Sequence, residues 1–208
     1  MNRTLLAGTI AMAVIVLASN ILVQFLVGDW LTWGAFTYPF AFLVTDLMNR
    51  LLGPAAARKV VYAGFFTGLV CSAIGTQIVG EFGPLVSPRV AVASLTAFLL
   101  GQLLDISVFN RLRRGVWWRA PLVSSVLGSA VDTLVFFTIA FSGALSVFAP
   151  GVDVAWANEV VPMLGWGPAQ PLWVSLAVAD FGVKPAIAIF ALAPFRALVW
   201  QSWPGPAK

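Results

Sequence analysis

Four aspartates and one lysine lie inside stretches that are otherwise lipid-soluble: Asp46, Asp105, Asp132, Asp180 and Lys184. A charge in hydrocarbon costs roughly 2.5–3.5 kcal/mol even on the forgiving insertion scale. Side chains placed at that cost line polar paths or hold a solute, so transport is the leading chemistry. Asp180 and Lys184 are spaced i,i+4 and can neutralise each other on one helix face. Such a pair can also do no more than fix helix register. Asp132 has no basic neighbour in sequence. It is either a solute ligand, the preferred reading, or a protonated acid bonded to Ser or Thr across helices.

A helical rise of about 1.5 Å per residue sorts the polar groups by depth into two layers. Thr45, Asp46, Asn49 and Arg50 lie near the inner end of one helix, and Gln102, Asp105, Asn110 and Arg111 near that end of another. Asp46 and Arg50 are again i,i+4. This layer reads either as an interfacial charge network with snorkelling arginines, or as an inner gate and pocket floor. Gln102 sits on the face of Asp105 at i,i+3, about two turns from the helix end, and tips the reading toward function. The second layer is deeper or further out. Asn20 and Gln24 are expected to share one face of the first helix, and Tyr38-Pro39-Phe40 opens the second. Asp132 follows Ser125, Gly128 and Ser129, and the Asp180–Lys184 pair completes the layer.

The elements that must carry these groups follow from composition. The chain has 208 residues, 60% hydrophobic and 10% charged, whereas a soluble domain carries about 25% charged residues. That excludes the ordinary globular class and leaves an integral membrane protein. A spanning helix needs about 20 apolar residues. The predicted segments are Leu5–Val27, Ala35–Leu52, Val60–Gly80, Arg89–Asn110, Trp118–Ser142 and Pro171–Trp200, one all-α transmembrane domain of six helices over residues 1–208. Ala18-Ser19 resembles a cleavage site, but the apolar run continues to Val27, so the first segment reads as a retained helix. No stretch reads as a separate soluble domain, and no repeat relates the halves.

Charge placement orients the bundle. With a cytoplasmic N-terminus, ten of the twelve basic residues fall inside: Arg3, Arg50, Arg58, Lys59, Arg111, Arg113, Arg114, Arg119, Arg196 and Lys208. The outer loops keep Arg89 with Asp29, Glu81, Asp153 and Glu159. The positive-inside rule then places both termini in the cytoplasm. Trp30, Trp33, Trp156, Trp166 and Trp173 fall near outer ends, and Trp117, Trp118, Trp200 and Trp203 near inner ends, as headgroup-level indoles should. The outer connection, residues 143–170, contains Pro150, Pro162 and Pro168. Within it Val152–Leu164 is predicted as a surface helix, a membrane-resting connector in preference to a lid. Ala7-x-x-x-Ala11 and Gly64-x-x-x-Gly68 permit close helix contact, within the chain or with a partner.

Several classes drop out. The net charge of +4 does not indicate nucleic acid, because the basic residues sit in a few loops and line no face. The chain has no His, so imidazole ligands and His relays are excluded. The single Cys71 permits neither an internal disulfide nor a thiolate cluster, and its apolar surroundings read as a packed thiol. No phosphate loop, metal-ligand cluster or nucleophilic triad is present, so neither an enzyme nor a cofactor or metal requirement is expected.

Four strings carry a family resemblance: Trp33-Gly-Ala-Phe-Thr-Tyr-Pro-Phe-Ala-Phe-Leu-Val-Thr-Asp-Leu-Met-Asn-Arg, Gly101-Gln-Leu-Leu-Asp-Ile-Ser-Val-Phe-Asn-Arg-Leu-Arg, Asp132-Thr-Leu-Val-Phe-Phe-Thr-Ile-Ala-Phe and Asp180-Phe-Gly-Val-Lys. Together they resemble the queuosine precursor transporter family, also called the vitamin uptake transporter family, from about Asn20 to Lys184. The resemblance implies a six-helix importer in the bacterial inner membrane, similar in fold to the substrate-binding subunits of energy-coupling-factor vitamin transporters. It implies 7-deazaguanines as substrates: the cyano and aminomethyl precursors of the tRNA base queuosine, or queuine. Such a base presents N1–H, a 2-amino group and a carbonyl side by side. A carboxylate accepts from the two donors, an amide or Lys184 donates to the carbonyl, and Tyr38 or a neighbouring Phe such as Phe40 stacks on the ring. Asp46, Asp105 and Asp132 are all candidate acceptors, and sequence does not rank them.

Three readings remain in competition. One is a stand-alone secondary carrier, with proton coupling through one of the aspartates as an option and a homodimer as a candidate assembly. Another is a substrate-binding subunit that needs a separate energising module, docked through small residues such as Ala7 and Ala11. The last is a membrane scaffold or intramembrane enzyme.

Overall fold

The computed structural model describes residues 2–200 apart from 82 and 150; Pro150, Trp203 and Lys208 lie outside the described residues. Among the described residues, seven α-helices follow one another: α1 (Arg3–Leu22), α2 (Trp33–Thr37), α3 (Phe40–Leu52), α4 (Pro54–Gly75), α5 (Pro88–Leu112), α6 (Arg119–Phe141) and α7 (Leu172–Val199). Five of them, α1, α4, α5, α6 and α7, are long and apolar enough to cross a membrane. Short hairpins join helices: β1 (Leu26–Val27) with β2 (Leu31–Thr32), β3 (Val79–Gly80) with β4 (Gly83–Pro84), and β5 (Val160–Pro162) with β6 (Ala169–Pro171), all antiparallel. The architecture is an all-α membrane protein.

The predicted second span is the segment that departs. It is broken at Tyr38-Pro39 into α2, of 5 residues, and α3, of 13. A 13-residue helix rises only about 20 Å, short of a hydrocarbon core of about 30 Å. Pro39 lacks an N–H and cannot continue the ladder of α2. Across the break the carbonyl of Tyr38 accepts from the N–H of Ala41 and that of Pro39 from the N–H of Phe42, at 2.9 and 3.1 Å, so these backbone groups stay paired.

Local sequence sets the remaining boundaries. Ser87 caps α5 by accepting from the Val90 N–H at 3.2 Å, with Pro88 in the first turn. Helix α4 begins at Pro54, six residues before the predicted Val60, because Gly53 turns the chain at φ 86° and Arg58-Lys59 are helical. Helix α1 ends at Leu22, so Gln24 falls in the following turn and shares no helical face with Asn20. The predicted helix over Val152–Leu164 is absent. That stretch holds a 3-10 turn at Trp156–Asn158, strand β5, and a second turn at Met163–Gly165 with Leu164 at φ 54°. Asn158 pins it: its amide donates to the carbonyls of Phe141 and Val154 and accepts from the Gly143 N–H.

Helix α3 packs centrally, against α1, α4, α5, α6 and α7. One apolar core joins α1, α3, α4 and α5 through Met12, Val16, Val44, Met48, Val60, Val61 and Phe98. A smaller one, with Phe109, Ala120, Phe195 and Val199, ties the ends of α5, α6 and α7. The closest helix pair is α5 with α6. Gly101 lies against the Gly128 carbonyl and the Asp132 side chain, and Gly128 against the Gly101 carbonyl and the Asp105 side chain. Gly64 and Gly68 face Met12, Val16, Leu95 and Phe98, which gives that motif an internal packing role. The outer faces expose rows of large apolar side chains, Leu6, Ile10, Val14, Leu17 and Ile21 on α1 among them. That is the pattern of a surface solvated by lipid.

Candidate functional site

Two buried polar clusters occupy the interior, and they differ in how completely their groups are paired. The first gathers at the break between α2 and α3. Lys184, on α7, sits 2.8 Å from Asp132 Oδ2, 2.8 Å from Thr133 Oγ1 and 2.6 Å from Asp180 Oδ2. An ammonium has three donors, and all three are used. Tyr38 donates its phenol to Asp132 Oδ1 at 2.8 Å, and Thr133 donates to Asp180 Oδ2 at 2.8 Å. The ammonium also lies 5.5 Å from the centroid of the Tyr38 ring. Asp132 therefore has its cation after all, supplied from α7 across 52 residues of sequence. The local Asp180–Lys184 pairing expected from spacing forms as well. Two carboxylates share one ammonium.

The second cluster lies further along α3, enclosed by α5 and α6, and is the more deeply buried of the two. Thr45 Oγ1 donates to Gln102 Oε1 at 2.5 Å, and Asn49 Nδ2 donates to the Ile106 carbonyl at 3.1 Å. Asp46 accepts from Ser124 at 3.2 Å and from Ser125 at 3.1 Å, so its two oxygens are held from α6. Asp105 lies near Asp46 and Ser124. Among the described residues, neither Asp105 oxygen reaches hydrogen-bonding geometry with a partner, nor does Gln102 Nε2 or Asn49 Oδ1. Asp105, Gln102 and Asn49 are all 0% exposed. Unpaired buried polar groups are few in native proteins, and each asks for an explanation.

A narrow cleft bordered by α3, α6 and α7 connects the two clusters. Asp46 and Ser125 border it from the deeper cluster, Lys184 from the other, with Ser129 between and Pro39, Phe42 and Phe195 as apolar walls. At its heart it admits a body about the size of one water.

The remaining predicted positions lie apart. Asn20 turns its amide to the Val16 carbonyl at 2.9 Å. Gln24 is exposed. Phe40 is half-buried and does not border the cleft; the aromatic wall there is Phe42, next to Gly128. Arg50 donates to the Arg113 carbonyl at 2.9 Å and stacks on Phe109 at 5.3 Å. Asn110 and Arg111 are exposed. Arg89, expected in an outer loop, is 6% exposed and donates to the Ile139 and Ser142 carbonyls and to Ser146 Oγ. It thereby satisfies the open end of α6.

Ser124, Thr133 and Phe42 are the cluster residues that sequence reasoning missed. Ser124 sits one residue before Ser125, and Thr133 one after Asp132. A polar residue next to each suspected site position was the available signal.

Comparison with known proteins bears on the same residues. The family described as “Putative vitamin uptake transporter” matches residues 32–199. The queuosine precursor transporter of Escherichia coli (strain K12) is 41% identical over 195 residues, 86% of this chain and 79% of that protein. The probable queuosine precursor transporter of Haemophilus influenzae is 43% identical over 122 residues, 53% of this chain and 52% of its own. That of Bacillus subtilis (strain 168) is 34% identical over 131 residues, 54% and 57% respectively, so these two alignments span about half of each protein. No solved structure matches. The family match runs from Thr32 into the last turn of α7 and so contains both polar clusters and every residue bordering the cleft, and the chain belongs to the vitamin uptake transporter family.

Proposed function

We propose that the protein imports queuosine precursors, 7-deazaguanines with a cyano or aminomethyl substituent or queuine itself, across the bacterial inner membrane. The observation that carries this reading is the convergence of Asp46 from α3, Ser125 and Ser129 from α6 and Lys184 from α7 on one cleft inside a lipid-facing bundle. The names of the relatives supply the substrate. In this reading α2 and α3 together make a sixth crossing. A broken helix is tolerated at membrane depth where protein or a polar cavity covers its freed backbone groups, and Tyr38 and Pro39 sit against the Asp132 cluster and the cleft. The basic helix ends then face the cytoplasm, with both termini. Six crossings also suit the architecture of energy-coupling-factor substrate-binding subunits that the sequence resemblance implies.

The cleft is too narrow for a bicyclic base, so passage requires the walls to separate. Helix α7 is the wall built to move. Pro185 follows Lys184 directly and Pro194 lies nine residues on. Each removes an i→i−4 hydrogen bond and lets the helix bend. Lys184 is then the latch: its contacts to Asp132 and Thr133 hold α7 to α6, and opening must break or exchange them.

Expression of this chain alone in a host that lacks precursor synthesis and its own importer tests the proposal. Restoration of queuosine in tRNA at low external precursor supports a stand-alone carrier. Restoration only with a co-expressed ATP-driven module supports a substrate-binding subunit instead. No restoration in either case contradicts an import function.

A further inference from the structure

We infer that Asp105 and Gln102 form the recognition edge for the base, reading its two adjacent N–H donors and the neighbouring carbonyl, while the Lys184 cluster does not contact that edge. This rests on the proposed 7-deazaguanine carrier and specifies which groups recognise the ring.

The inventory of unpaired atoms carries the inference. Asp105 offers two acceptor oxygens, and Gln102 offers one amide donor, Nε2. Both side chains are fully buried. They stand at i,i+3 on α5, so the acceptors and the donor lie on one face. The Thr45 hydroxyl bonds Gln102 Oε1 at 2.5 Å, which leaves Nε2 as the open donor on the other side of the amide. The result is acceptor, acceptor, donor. A guanine-type ring presents donor, donor, acceptor along its 2-amino, N1–H and carbonyl edge. The two patterns are complementary, and an acidic side chain paired with an amide is a chemically apt reader of adjacent base donors and carbonyl.

The groups nearest Asp105 are a second carboxyl, Asp46, and the Ser124 hydroxyl, and the Asp46 oxygens already take Ser124 and Ser125. Ser124 is the hydroxyl nearest Asp105, and its proton goes to Asp46 or the Pro121 carbonyl. Two buried carboxyls facing each other share a proton rather than both ionise, and a ligand bringing N–H groups lets both act as acceptors. Asp46 borders both Asp105 and the cleft, and Phe42, 1% exposed, lies between the cleft and Gly128 as a flat apolar surface for the ring. The other acids fail the same test. Asp132 accepts from Tyr38 and Lys184, and Asp180 from Thr133 and Lys184.

Binding of 7-cyano-7-deazaguanine and of its analogue lacking the 2-amino group, measured on purified full-length protein in lipid nanodiscs, tests this. Wild type should prefer the amino-bearing base by about tenfold or more, the discrimination of one good bidentate contact. In Asp105→Asn, one acceptor becomes a donor, and the preference should fall to within about threefold. Gln102→Met, a second variant that keeps Asp105, should weaken both ligands about equally while preserving the preference. Unchanged discrimination in a folded Asp105→Asn overturns the inference and leaves the carrier intact. Should Asp105→Asn not fold, full affinity in Gln102→Met overturns it equally. Wild type binding neither compound overturns the carrier reading itself.

Discussion

The two polar clusters answer the same problem in opposite ways. Around Lys184, the ammonium, both carboxylates, the Tyr38 phenol and the Thr133 hydroxyl are tied together by contacts of 2.6–2.8 Å. Around Asp105, a carboxyl, an amide nitrogen and an amide oxygen are equally buried, and among the described residues none of these atoms reaches hydrogen-bonding geometry with a donor or acceptor other than the neighbouring Asp46 and Ser124. Cost alone does not distinguish them, since charge and amide groups are expensive in hydrocarbon wherever they sit. What differs is whether the chain supplies the answering groups. A saturated cluster holds helices in place and has nothing to offer a solute until it breaks. An unsaturated one has valences to give. The first is the better candidate for a latch and the second for a recognition surface.

The sharpest way to break this contrast is to remove the hub of the saturated cluster. Lys184→Met leaves Asp132 and Asp180 without their cation, and removal of one partner from a buried ion pair costs about 3–5 kcal/mol. The variant should unfold in detergent well below wild type when followed by thermal size-exclusion. Asp132→Asn with Asp180→Asn in the same background should recover most of the loss. Tyr38→Phe comes next. It deletes one hydrogen bond to a charged group, worth about 1.5–3 kcal/mol, and should lower the same melting temperature by less than Lys184→Met. Ser124→Ala removes one of two hydroxyls on Asp46 and should cost about 0.5–1.5 kcal/mol. Asp105→Asn should change stability by less than about 1 kcal/mol, because the new amide can donate to Asp46 in place of the proton the two carboxyls share, yet abolish precursor uptake. That separation of folding from function is what the contrast requires. Gln24→Ala, outside both clusters, should alter the melting point by less than about 0.5 kcal/mol equivalent and leave uptake unchanged.

Much of this was legible in the chain, for identifiable reasons. Five long apolar runs became five long helices because their hydropathy admits no other buried state. The Asp180–Lys184 pair was readable because i,i+4 spacing is local geometry. The bond between Lys184 and Asp132 was not, since nothing in either segment's own spacing reveals which helix lies opposite. The second span reads as continuous in sequence because its hydropathy is continuous; Pro39 in Tyr38-Pro39-Phe40 is the clue to the break. The helix expected over Val152–Leu164 was lost to tertiary anchoring by Asn158 and to the β5–β6 hairpin. Arg89 looked like a loop charge, but the open carbonyl end of α6 draws it inward. In the deeper cluster, sequence points to Gln102 and Asp105 through their i,i+3 spacing within an apolar helix. It offered no way to tell them from Asp132, because pairing is a property of the assembled bundle.

One measurement bears most directly on the division between latch and reader: a structure of the protein with 7-cyano-7-deazaguanine bound. The account predicts the ring beside Phe42, its N1–H and 2-amino groups in hydrogen-bonding contact with Asp105 and its carbonyl with Gln102 Nε2. A base held instead by Asp132, Asp180 and Lys184, with Asp105 still facing Asp46 untouched, would contradict it.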